Sequence, residues 1–60
     1  MSAKISMALG KLIHRVECDG EDVDDALHNV SLRDSLNKEE QQTVKRLFAT
    51  HQLMQEAVDG

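Results

Sequence analysis

Asn37-Lys38-Glu39-Glu40, followed by Val44, Leu47, Phe48, His51, Met54 and Val58, is the stretch that decides the fold. Asn with Glu three residues on is a capping-box pattern at a helix start, in which each side chain satisfies the other residue's backbone N–H. The apolar positions that follow recur at the spacing of one helix face, without the alternation of a strand. The segment predicts a helix from Lys38 to about Val58. At about 1.5 Å per residue it would be on the order of 30 Å long. That is long for a chain of 60 residues.

Two further runs precede it. Between Ser2 and Cys18, the residues Ile5, Ala8, Leu9, Leu12, Ile13 and Val16 fall on one stripe, with Lys4, Lys11 and Arg15 beside it. Gly10 costs this helix about 1 kcal/mol relative to Ala, and reads as a place where another helix comes close. Gly20 predicts a chain reversal, because Gly adopts positive φ without steric cost. Asp19 or Asp22 then caps the next helix. From Asp22 to Val30, the residues Val23, Ala26, Leu27 and Val30 form an i, i+3, i+4, i+7 set. So short a helix needs tertiary packing. Ser31 to Leu36 mixes apolar and turn-forming residues, and reads equally as a loop or as one helical turn.

The expected fold class is all-α, one domain over residues 1–60: a small helical hairpin or three-helix domain, with two long antiparallel helices and a short helix between them. The expected core is aliphatic, because the chain has no Trp, no Tyr and one Phe. Ile5, Leu9, Leu12, Ile13, Val16, Val23, Leu27, Val30 and Leu36 supply its first part. Val44, Leu47, Phe48, Met54 and Val58 supply the rest. A domain of this size with one Cys, and so no internal disulfide, is marginal alone. A homodimeric bundle is therefore expected.

A second apolar stripe points the same way. Ala3, Met7, Gly10 and His14, with Cys18, lie off the core face of the first helix, and Ala49, Leu53 and Ala57 lie off that of the third. A helix that is apolar on more than one side has more than one side to bury. Small residues permit close approach, and Met suits adaptable binding surfaces. These seven residues, Ala3 to His14 and Ala49 to Ala57, are the expected partner or dimer interface.

Chemistry finds little support. The acids between Glu17 and Asp25 fail the calcium-loop pattern, since the positions that need Gly and Glu hold Asp24 and Val30. They read as a solvated turn and helix start, or else as an acidic patch facing a partner. His14 and Cys18, four apart, with His28, fall short of a recognisable zinc set. Cys18 with either His makes a poor nucleophile pair without a pocket or oxyanion donors. No catalytic residue, metal or cofactor is expected.

The net charge of −4 argues against a general nucleic-acid binder. Lys4, Lys11 and Arg15 form a basic stripe, but no aromatic is interleaved for base stacking. A helix-turn-helix drawn on the second and third helices would open its recognition helix with Glu39 and Glu40, which repel phosphate. No run has the character of a signal peptide or a membrane span, and the lone thiol suits a reducing compartment. A cytoplasmic location is expected.

The expected function is therefore regulation without catalysis, by binding another protein through helical surface, with the chain itself as a further partner. In size and architecture the chain is similar to small accessory regulators of bacteria and their phages, which act by occupying a surface on a host protein. That likeness implies an inhibitor and rests on no motif. The alternatives are a nucleic-acid-binding helical dimer, of helix-turn-helix or RNA-binding hairpin type, and a structural subunit of a larger assembly.

Overall fold

The computed structural model describes residues 2–59, with the side chain of residue 59 left aside. Helix α1 spans Ala3–Glu17, α2 spans Val23–Asp34 and α3 spans Lys38–Asp59. Local chemistry sets each start. Ser2 Oγ accepts the Ile5 N–H at 3.2 Å, and Asp22 caps α2 by accepting the Asp24 N–H. At α3 the capping box is complete: Asn37 Oδ1 accepts the Glu40 N–H at 2.8 Å and Glu40 Oε1 accepts the Asn37 N–H at 3.0 Å.

The two chain reversals differ in their chemistry. Gly20 takes φ +71, as its position predicts. The second reversal uses Ser35, at φ 54 and ψ 47 in the left-handed region, which a side chain makes costly. The Leu36 N–H then donates to the Ser31 carbonyl at 2.9 Å, the bond of a Schellman turn. This turn brings Leu36 into the core at 7% exposure. Ser31–Asp34 is therefore the last turn of α2 and no loop.

That extra turn changes the topology. Lys4 at the start of α1 bonds Glu40 at the start of α3, at 3.0 Å, and Glu17 at the end of α1 meets His51 far along α3, at 3.4 Å. The two long helices run in the same sense, not antiparallel, and α2 returns between them. A helix of 12 residues spans about 18 Å. It carries the chain back along most of α1, so α3 must begin near the end where α1 began.

Ile5, Ala8, Leu12, Ala26, Val30, Leu36, Val44 and Phe48 form the buried core, with Leu9, Ile13, Val16, Val23, Leu27 and Leu47 packed around it. Met54 and Val58, expected in the core, are 66% and 84% exposed. They follow the core periodicity of α3, but α1 ends beside His51, and none of the described residues covers them. The small residues that matter to packing are Ala8 and Ala26, both fully covered. A Cβ on Gly10 would meet nothing within 4 Å, so no helix of this chain approaches there.

Candidate docking surface

Ion pairs occupy the seams between helices. Lys4 Nζ bridges Glu40 and the Ser35 carbonyl, tying α1 to the α2–α3 junction. Lys11 Nζ lies 2.7 Å from Asp34, and Arg15 Nη1 contacts both Glu21 oxygens at 3.2 and 3.1 Å. The basic stripe of α1 is thus engaged within the chain. The Asn37 backbone N–H, and after it Lys4, hold the Glu40 carboxyl below its ordinary range.

A groove of about 490 Å³ runs between α1 and α2 over Val30. It is lined by Lys11 and Arg15, already paired, by Arg33, and by His14, whose Nδ1 stands 3.9 Å from Asp19. No Ser, Thr or Cys lines it. Cys18 is exposed, and among the described residues no three His, Cys, Asp or Glu side chains gather as a metal site. No described helix is long and apolar enough to cross a membrane.

All seven expected interface residues are exposed. Ala3, Met7, Gly10 and His14 lie on the outward side of α1, where Met7 borders a shallow depression with Lys4, Lys11 and Asp34. Ala49 borders a separate one on α3 with Gln42, Lys45 and Arg46. The helices bury their facing sides against each other, so their outward sides diverge.

A different grouping emerges at the end of α3. From Gln52 to Val58 every side chain is exposed. The last eight residues of the helix, Gln52 onward, extend about 12 Å past its contact with α1. Leu53, Met54, Ala57 and Val58 occupy positions i, i+1, i+4 and i+5. At about 100° per residue they cover an arc of roughly 140°. Glu56 flanks this arc beside Leu53, Gln55 flanks it beside Val58, and Gln52 lies opposite. His51, Met54, Gln55 and Val58 line a shallow, mainly apolar groove.

This overhang is an amphipathic helix end with no partner among the described residues. It joins Leu53 and Ala57, expected at an interface, to Met54 and Val58, expected in the core. The signal in the sequence is the pair of adjacent doublets, Leu53-Met54 and Ala57-Val58, which sorting residues by face divides between two sides. No protein family, curated protein or solved structure matches this chain.

Proposed function

We propose that this protein works without catalysis, by docking on another protein through the overhang of α3. The observation that carries the reading is the unpartnered apolar arc of Leu53, Met54, Ala57 and Val58, with Leu53, Met54 and Val58 between 67, 66 and 84% exposed. Scattered single apolar residues are normal on a surface. Four contiguous ones on a helix that outruns its own domain favour a docking role, because helix-in-groove recognition uses this kind of anchor set. Self-association would use the same arc, and a homodimer is the other form of the proposal. The engagement of Lys4, Lys11 and Arg15 in ion pairs favours protein over nucleic acid as the partner.

The test is affinity capture from cells that express the chain, comparing the parent with Met54→Glu. Melting curves of the two should agree, since Met54 is exposed. A specific protein retained by the parent and lost with the variant supports docking through the overhang. Identical captures from both, or none, overturn it.

A further inference from the structure

The acids of this chain are not spread evenly. Six of them lie between Glu17 and Asp25, at the end of α1, in the turn and at the start of α2. Two cross-helix contacts place that segment along α3: Glu17 meets His51 at 3.4 Å, and Asp24 lies 3.9 Å from Lys45. The acidic turn therefore stands level with the middle of α3, at the end of the molecule from which the overhang projects. Glu56 adds a carboxylate on the overhang itself. At this end Arg15 and Lys45 pair with Glu21 and Asp24, His14 and His51 stand 3.9 and 3.4 Å from Asp19 and Glu17, and Arg46 lies beside Lys45 on α3. Asp25 and Glu56 are exposed and make no ion pair among the described residues.

The helix dipole adds to this field. The last turn of α3 carries no basic residue to offset the negative end of the helix. Carboxylates and helix end thus act in one direction, beside an apolar arc that none of the described residues covers. We infer that the overhang of α3 docks with a basic amphipathic helix of another protein: its apolar face covers Leu53, Met54, Ala57 and Val58, and its Lys or Arg side chains meet the Glu17–Asp25 turn and Glu56. This rests on the docking role proposed above and names the chemistry of the partner.

Charge decides against a second copy as the occupant. Two chains joined overhang to overhang would bring both acidic ends together, and like charges across an interface oppose association. The two occupants respond oppositely to salt. Screening weakens an acid–base complex and relieves repulsion in a homodimer.

The experiment uses the full chain and a synthetic helical peptide of Leu and Lys arranged on two faces. Controls are an isomer with the same composition and its Leu residues scattered, and a Leu–Glu counterpart. Binding is followed by fluorescence anisotropy and mapped by amide chemical shifts. The amphipathic basic peptide should bind, shifting residues 52–58 and the Glu17–Asp25 turn. Met54→Ser with Val58→Ser should weaken it at least about tenfold, the expectation for two apolar side chains left without burial. Asp25→Asn with Glu56→Gln should weaken it as well, and the scattered isomer should bind less. Raising salt from about 0.05 M to about 0.5 M should reduce affinity.

Equal binding of the Leu–Glu peptide, equal binding of the scattered isomer, or shifts that spare the overhang would overturn the inference. So would a homodimer that tightens with salt and excludes the peptide. If affinity capture depends on Met54 but the basic peptide fails, docking stands and the charge assignment falls. If both fail, the docking role falls with it.

Discussion

The two halves of α3 carry the same kind of apolar spacing and meet opposite fates. From Lys38 to His51 the helix is locked: Val44 and Phe48 are 0 and 2% exposed, and Glu40 is held by both Asn37 and Lys4. From Gln52 onward no described side chain is covered. The difference does not lie in the helix. It lies in where α1 and the α1–α2 turn stop. Helical spacing specifies which side of a helix is apolar, and burial needs a second surface at the same height.

The comparison breaks first at Phe48. Phe48→Ala should destabilise the domain by about 3–5 kcal/mol. A domain this small has little more stability than that. Circular dichroism should therefore find the variant largely unfolded at room temperature. A melting curve unchanged from the parent would mean that the first half of α3 is no more engaged than the second.

Ser35→Gly sharpens the contrast from the other direction. A Ser in the left-handed region is strained, and Gly is the residue favoured at that position. The substitution should stabilise the body by about 1 kcal/mol, a rise in Tm of about 4–8 °C for a domain of this size. Amide exchange should slow in the body and stay fast from Gln52 onward. A uniform slowing along α3 would show one cooperative helix.

Glu40→Gln probes how the locked half is fastened, through pH. The native environment lowers the Glu40 pKa from its ordinary 4.5. The unfolded state then binds more protons between the two values, so the stability contributed by Glu40 rises with pH. It is fully present above the ordinary value and is lost as pH falls through the lower native one. Urea melts should show the parent more stable than Glu40→Gln at neutral pH, with the two converging in acid. Gln keeps an oxygen for the Asn37 N–H, so the difference reports the loss of charge. A gap that stays constant down through the native pKa would contradict the hold of the Asn37 N–H and Lys4 on the Glu40 carboxylate.

The smallest effect belongs to the free half. Met54→Ala combined with Val58→Ala should change the stability of the isolated chain by no more than about 0.5 kcal/mol. A loss of 2 kcal/mol or more, on the scale of core truncations, would place these side chains in the body of the protein.

Much of the fold is legible in the residues. The capping box at Asn37 and Glu40, the reversal at Gly20 and the core stripe of α1 are local signals, and each appears where its chemistry predicts. The extent of α2 is less legible. Ser31, Asp34 and Ser35 all favour caps and turns, and the choice falls to Leu36, whose burial requires the helix to run on to Asp34 and the chain to reverse at Ser35. The direction of α3 follows from that extra turn. The candidate site was legible only in pieces, because Leu53 and Ala57 read as outer surface and Met54 and Val58 read as core.

The sequence by itself determined that three helices form, the capping box of α3, the reversal at Gly20 and the apolar side of each helix, because those depend on residues within a few positions of one another. The tertiary structure alone decided that α1 and α3 run in the same sense, that Lys4 and Lys11 bond across helices, and that Met54 and Val58 are left uncovered. Those outcomes depend on helix lengths relative to one another. A pattern with a period of 3.6 residues repeats all along α3 and holds no record of the level at which α1 ends.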